Sequence, residues 1–358
     1  MAAGTTLPGS VQVSIIVPAR DEEPSLGACL ESLISQTGVT FEIIVVDDGS
    51  TDRTLKIAQS FGVRVIHPEP LPAGWSGKVN AVVAGAAAAR GTWLLFTDAD
   101  TIHLPGSLER AVAEANGLKA ELLSYSPQQK VVTFWEKAVM PVVFAELAAK
   151  FRPAEVSDPR SPAAAANGQY MLVTREAYDA VGGFGSVATT LLEDVAMARA
   201  VKASGRKIFF RYAPDAVSAR MYRSFEEIRD GWTKNLALLF PATVRLANLR
   251  RLEFLLIAGG AILSVVEAVR GRTYLSAFAF AVAALLYGLF LKRIRRAHFS
   301  WEANLFSIFG LPVFSYLLLR SPLFHDSGKV SWKGRYYGGT AQLEAPVGES
   351  EDIATSQL

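Results

Sequence analysis

The chain has 358 residues, half of them hydrophobic, which is enough for one large domain and an appendage. A formal net charge of only +2 argues against a nucleic-acid-binding protein, and no nucleic-acid partner is expected. The single cysteine, Cys29, excludes an intrachain disulfide and a cysteine-rich metal site. It reads as core filling on the first helix.

Residues 1–10 read as a short tail without the basic start and apolar core of a signal peptide, so the domain that follows is expected in the cytoplasm. Val13 to Val17 is a β-branched run halted by Pro18, the pattern of a buried strand. Glu22 to Gln36 has helical spacing, with Leu26, Leu30 and Leu33 on one face. Phe41 to Val46 is a second buried strand, ending at Asp47-Asp48-Gly49-Ser50, and Ser50-Thr51-Asp52 can cap the next helix. A strand at Val63 to Ile66, an alanine-rich helix from Lys78 to Arg90 and a strand at Trp93 to Phe96 follow. The last of these ends at Asp98-Ala99-Asp100. Strands alternating with helices, each strand almost wholly apolar, predict an α/β fold: a mostly parallel sheet with helices on both faces. Ligands of such sheets sit beyond the carboxyl ends of the strands, where both aspartate pairs fall.

Val131 to Lys150 is a mostly apolar helical stretch. It lies between acidic clusters that must meet in one pocket, so it cannot cross a membrane alone. It is expected to lie in the membrane interface with Trp135 at the headgroups, or to pack as a core helix. A strand at Gly168 to Thr174, a helix at Arg175 to Val181, Gly182-Gly183-Phe184, a helix at Glu193 to Ala203, a strand at Lys207 to Arg211 and a helix at Ser224 to Phe240 complete a domain spanning 11–245.

A membrane domain is expected over 246–325, with apolar segments at 253–269, 274–291 and 303–319. At about 1.5 Å per residue, each is long enough, or nearly so, to cross a hydrocarbon core of about 30 Å. Arg245, Arg250 and Arg251 precede the first segment, and Lys292, Arg293, Arg295 and Arg296 follow the second. They read as cytoplasmic anchors against anionic lipid. Three crossings would put the basic, aromatic run Trp332-Lys333-Gly334-Arg335-Tyr336-Tyr337 on the wrong side. The third segment is therefore expected to break at Gly310-Leu311-Pro312 and re-enter, leaving 326–358 as a cytoplasmic tail with a disordered end.

The acidic clusters carry the chemistry. Asp47-Asp48 can accept hydrogen bonds from a nucleobase or ribose, although Asp-Gly-Ser alone is also an ordinary turn. Two carboxylates spaced like Asp98 and Asp100 repel unless a cation joins them, which suits Mg²⁺ or Mn²⁺ shared with a diphosphate. Glu193-Asp194 opens a helix, where acidic residues are favoured by the dipole alone. No histidine has zinc-site spacing. His103, close to Asp100, is either a further metal ligand or an ordinary loop residue.

The series Val17-Pro18-Ala19-Arg20-Asp21-Glu22-Glu23, Asp47-Asp48-Gly49-Ser50-Thr51-Asp52, Asp98-Ala99-Asp100, Gly182-Gly183-Phe184 and Leu192-Glu193-Asp194 resembles family 2 glycosyltransferases of the GT-A fold, from about Val11 to Phe240. Gly74 to Ala81 and Gly231 to Asn235 are most similar to bacterial enzymes linked to isoprenoid lipids, of the carotenoid (diaponeurosporenoate-type) and hopanoid-associated groups. The resemblance implies a multi-pass inner-membrane enzyme with a cytoplasmic catalytic domain. It would move one sugar, with inversion, from a nucleotide-sugar, UDP by family default, to a lipid or isoprenoid acceptor. Asp194 would be the general base. Pro18, Arg20, Glu22, Asp47, Asp48, Lys78 and Asp98 would hold the donor, and Asp100 the divalent cation. Gly183, Glu193 and Trp232 would face the acceptor. Where processive polysaccharide synthases carry Gln-x-x-Arg-Trp, this chain has Ile228-Arg229-Asp230-Gly231-Trp232. That argues for single-sugar transfer and leaves Trp232 either stacking on a sugar or packing. A polysaccharide transferase with a non-lipid acceptor and a non-catalytic nucleotide-sugar-binding membrane protein are the alternatives.

Overall fold

The computed structural model describes residues 11–327 and the strand residues Val330–Trp332 and Arg335–Tyr337. The tail at 1–10, Lys333 and Gly334, and the chain end expected to be disordered lie outside the described residues.

The first half runs β1 (Val13–Ala19), α1 (Leu26–Ile34), β2 (Phe41–Asp47), α2 (Thr54–Ser60), β3 (Arg64–Ile66), α3 (Gly77–Ala88) and β4 (Trp93–Phe96). Next come β5 (Thr101–His103), α4 (Ser107–Leu118), β6 (Leu122–Ser126) and β7 (Gln128–Gln129). The chain continues through α5 (Phe134–Lys150), α6 (Pro153–Ser157), β8 (Met171–Thr174), α7 (Arg175–Ala180), α8 (Glu193–Ala203), β9 (Ile208–Tyr212), β10 (Val217–Ala219) and α9 (Phe225–Leu239). The C-terminal part holds α10 (Thr243–Val269), α11 (Thr273–Ile294), α12 (Trp301–Phe306) and α13 (Gly310–Asp326), then β11 (Val330–Trp332) and β12 (Arg335–Tyr337).

Seven strands form the main sheet in the order β3-β2-β1-β4-β8-β6-β9. All pairings are parallel except those of β8, which runs antiparallel to β4 and β6. Ala19 pairs with Asp47, and Ile16 with Phe96, so the strand ends bearing both aspartate pairs share one edge. One face of the sheet is covered by Leu26, Leu30 and Leu33 of α1 and Leu108 of α4. The other is covered by Val79 and Val82 of α3 and Met197 and Val201 of α8. The caps follow local chemistry. Val79 N–H donates to Ser76 Oγ at 3.1 Å, and Thr133 with Glu136 makes a capping box at the start of α5. α1 starts four residues later than its periodicity suggests, because Glu22 to Ser25 form a turn anchored by Glu22 N–H on Thr54 Oγ1.

A third core joins this domain to the C-terminal helices through α5, α9, α10 and α13. Here the structure decides one expectation and corrects two others. Of the two placements expected for α5, interfacial or core, most of its length takes the core. Ala138, Val139, Met140, Val142 and Val143 are buried between α9 and α13, and its exposed large hydrophobic side chains are Phe134 and Trp135 of the first turn. Next, Arg250 and Arg293 do not face lipid. Arg250 lies 3.0 Å from both Glu146 of α5 and Glu253 of α10, and Arg293 pairs with the same Glu146 and, at 2.7 Å, with Glu253. The charges balance within the protein. Finally, the third apolar segment is not broken at Pro312. Pro312 sits in the first turn of α13, where a missing N–H costs little, and the interruption is a 3₁₀ turn at Ser307–Phe309. Gly310 sits so close to α5 that a Cβ would strike the Ala138 carbonyl.

Three C-terminal helices are long and apolar enough to span a membrane. α10 and α11 form an exposed hairpin, with only 17% of each apolar window buried, whereas half of the third window is covered by protein. α13 is bonded to α9: Ser321 Oγ donates to Thr233 O at 2.6 Å and accepts from Ala237 N–H at 2.8 Å. β11 then lies beside α9, so the tail rejoins the catalytic-type domain after α13.

Removing one arginine from the four-charge cluster leaves a carboxylate desolvated. Arg293→Ala is expected to lower unfolding stability by about 3 kcal/mol, and Arg293→Lys to recover only part of it. Thermal unfolding of the detergent-solubilised protein checks this.

Candidate active site

A cavity of about 1190 Å³ opens beyond the C-terminal edge of the sheet. Pro18, Arg20, Glu22, Asp48, Lys78, Asp98, Asp100, Glu193, Asp194 and Trp232 all line it. Sequence reasoning named each of these ten, and the fold brings them together.

Lys78 is the hub. It stands on the first turn of α3, which Ser76 caps. Its Nζ lies 2.8 Å from Asp98 and 3.3 Å from Glu193. Burial opposes the charge, but the two carboxylates outweigh it and hold the amine above its ordinary range. Glu193 thus points toward Lys78.

Asp194 opens α8. Gly168 N–H donates to Oδ2 at 2.9 Å and Val195 N–H to Oδ1 at 2.8 Å, fixing the carboxylate against the cavity wall. Burial, reinforced by Glu193, pushes its pKa up to about 6, against the pull of Lys78 and the two N–H groups. A carboxylate poised there is mostly ionised at neutral pH and still basic enough to take a proton. Gly168 had been read as the start of a strand. Instead Asn167 to Tyr170 is a turn that delivers the N–H, and an Asn-Gly pair is the signal that could have shown it.

Arg20 lines the cavity, its Nη1 donating to Asp48 O at 2.6 Å. Asp47 is set back from the cavity wall. It is buried, its Oδ2 3.5 Å from His67 Nδ1. Gly183 is also away from the cavity. Its φ of 57° and its contact with Tyr178, whose ring would meet a Cβ at 2.5 Å, make it a packing turn. His103 belongs to the core. It is buried with Nε2 3.0 Å from Thr97 Oγ1 and 3.2 Å from Thr101 Oγ1, and burial pushes its pKa down to about 3. It is neither a loop residue in solvent nor a cation ligand.

Among the described residues, no group of three or more His, Cys, Asp or Glu side chains is arranged to hold a metal by itself. Asp98 and Asp100 offer two carboxylates to the cavity, one of them shared with Lys78. Such a pair fits a hard divalent cation that draws its other ligands from a diphosphate and water.

Of its two expected roles, Trp232 shows packing and also borders the cavity. It is packed edge-on against Phe144 and Tyr222, yet it lines the cavity with its indole N–H buried and without a hydrogen bond. Two features were not assigned from sequence. Lys234, desolvated and held below its ordinary pKa range, adds a second amine to the cavity. An apolar arm also leaves the acidic centre along Phe144, Leu147, Phe151, Phe210 and Leu239, ending at Tyr212, Arg296 and His298 at the base of α11. These residues come from separate elements, so no local pattern announces them.

Residues 14–181 match the family described as glycosyl transferase family 2. The 4,4'-diaponeurosporenoate glycosyltransferase of Staphylococcus aureus (strain USA300) is 30% identical over 234 residues, covering 63% of this chain. The chain spans 60% of the length of that relative. Among solved structures, the mannosyltransferase PcManGT from Pyrobaculum calidifontis, in complex with GDP-Man and Mn²⁺, aligns with a TM-score of 0.53 at 17% identity. The alignment covers 88% of this chain and 87% of that one. The likeness shows the GT-A fold that the sequence implied.

Lys78→Met removes the cation between Asp98 and Glu193 and the attraction that lowers the Asp194 pKa. The Asp194 midpoint is expected to rise above about 6, read by carboxyl infrared titration of the isolated protein.

Proposed function

We propose that this chain, whose residues 14–181 match the family described as glycosyl transferase family 2, transfers one sugar from a nucleotide-sugar to a lipid-type acceptor at a membrane surface. The observation that carries this reading is the continuity of the cavity. A single void joins the acidic, lysine-bearing pole at the sheet edge to an apolar arm that ends at the base of the α10–α11 hairpin. A nucleotide-sugar suits the first end and a hydrocarbon chain the second. The names of the similar proteins support it. One is named as a glycosyltransferase of 4,4'-diaponeurosporenoate, and the other was solved with GDP-Man and Mn²⁺.

In this scheme Pro18, Arg20, Glu22 and Asp48 hold the nucleoside, with Asp47 supporting the wall from behind. Lys78 and Lys234 face the diphosphate and stabilise the negative charge that grows as it leaves. Asp98 and Asp100 would hold a divalent cation, Mg²⁺ or Mn²⁺, which when bound neutralises diphosphate charge. Asp194 takes the proton from the acceptor hydroxyl as its oxygen attacks the anomeric carbon from the face opposite the diphosphate, so the configuration inverts. The two backbone N–H donors keep that carboxylate aimed while the acceptor arrives. Trp232 lines the same cavity and packs against Phe144 of the apolar arm. The hairpin enters and leaves the bilayer, and the tail rejoins α9, so the catalytic domain and tail share the cytoplasmic face.

The test is transfer of labelled sugar from a panel of UDP- and GDP-sugars into solvent-extractable lipid by membranes carrying the protein. Asp194→Asn is expected to keep donor binding and lose about 10²–10⁴-fold in transfer. Near-normal turnover by that variant would remove the base assignment. Because the base must be ionised, wild-type transfer is expected to fall as the pH drops through about 6, by roughly tenfold per unit below it. A flat profile down to pH 5 would show that no proton is taken by this carboxylate.

A further inference from the structure

A second surface, apart from the cavity, is formed where α12 and the 3₁₀ turn after it meet the first turn of α5. Phe134 packs against Trp135 at 5.0 Å between ring centroids, Phe306 at 5.8 Å and Phe309 at 6.0 Å. Trp301 and Leu305 extend the patch. All six side chains are more than a third exposed, unlike the apolar middle of α5. Such a contiguous aromatic face on a folded domain calls for a partner.

Its position identifies that partner. Leu305 O accepts a hydrogen bond from Tyr287 Oη of α11 at 3.0 Å. Tyr287 lies seven residues before Ile294, the end of α11, or about 10 Å along the helix axis. The plate therefore sits beside the exposed hairpin, slightly above the cationic turn at its base. Lys292, Arg295 and Arg296 occupy that turn, and the Arg295 guanidinium lies 4.9 Å above the Trp301 ring. The acid on this face, Glu302, is neutralised by Lys137 at 2.7 Å. Aromatic rings next to cations, one to two turns above the end of a membrane hairpin, match the boundary between headgroups and acyl chains.

We infer that Phe134, Trp135, Trp301, Leu305, Phe306 and Phe309 form a plate seated in the headgroup layer of an anionic bilayer, beside the α10–α11 hairpin. The cavity's apolar arm ends at Arg296 and His298, in the same turn as Arg295. Seating the plate sets the depth of that mouth, so an acceptor enters sideways from the leaflet. This last clause rests on the lipid acceptor proposed above, whereas the docking does not.

Depth-dependent quenching tests the docking without any transfer reaction. The native thiol, Cys29, is fully buried and stays unlabelled. The full chain carrying Trp135→Cys or Trp301→Cys, with Phe309→Cys as a substitute for either, is labelled with an environment-sensitive fluorophore and placed in vesicles of phosphatidylglycerol and phosphatidylcholine. Ser60→Cys, on exposed α2, reports water, and Leu285→Cys, exposed near the middle of α11, reports the hydrocarbon core. A nitroxide on the lipid headgroup is expected to quench the plate positions several-fold more than a nitroxide at the acyl-chain end. If either position behaves like residue 60, or like residue 285, the plate does not lie at the headgroups. A probe shielded from both lipid and water would put a protein there instead and would equally overturn the inference. Loss of sugar transfer with normal quenching would count against the acceptor reading alone.

Discussion

Glu146, Arg250, Glu253 and Arg293 hold the hairpin to the domain, and the geometry of the cavity depends on them. Each charge is largely removed from water, so each is tolerable only with its partners in place. Glu146 comes from α5, Arg250 and Glu253 from α10, and Arg293 from α11. The cluster thereby fixes three helices at the level where α11 turns back toward the domain. That turn supplies Arg296 and His298 to the mouth of the cavity, and α5 supplies the wall from Phe144 to Phe151. A charge cluster is more selective than apolar contact here, because a shifted register would strand an ion.

The same logic operates on a smaller scale at the acidic pole. Three carboxylates, from Asp98, Glu193 and Asp194, converge near one lysine. Lys78 compensates two of them directly, while Asp194 is held by backbone N–H groups and left with a raised pKa. Charges that would repel one another are thereby held together at one end of the cavity. Burial makes this arrangement costly, and the rigid strand ends and the first turns of α3 and α8 keep it in place.

α5 and α13 show how an apolar helix can be misread. Both have the composition of membrane segments, and α5 reads equally well as interfacial. Yet α5 is a wedge between α9 and α13, and α13 is bonded to α9 through Ser321 and Thr233. Apolar composition reports only that a helix avoids water. Whether lipid or protein replaces the water depends on what else is nearby. Small residues such as Gly310 and buried hydroxyls such as Ser315 and Ser321 are the quiet signs of protein contact.

Sequence alone determined the strands β1, β2 and β4, since β-branched runs of that length must be buried from both sides. It determined the acidic clusters at their ends too, because chain order and strand direction put them at one edge. Most of the cavity's polar lining was legible for the same reason. Tertiary structure alone decided that Glu193 turns to Lys78, that Gly183 serves packing, that Asp47 stands back from the cavity and that His103 is buried. It also decided that Arg250 and Arg293 pair with glutamates rather than lipid, and that an apolar arm joins the site to the hairpin. These features depend on which side chains meet across distant elements. Local patterns record the exposure and periodicity of a segment, but a charge's partner or a cavity's wall exists only once the chain has closed on itself.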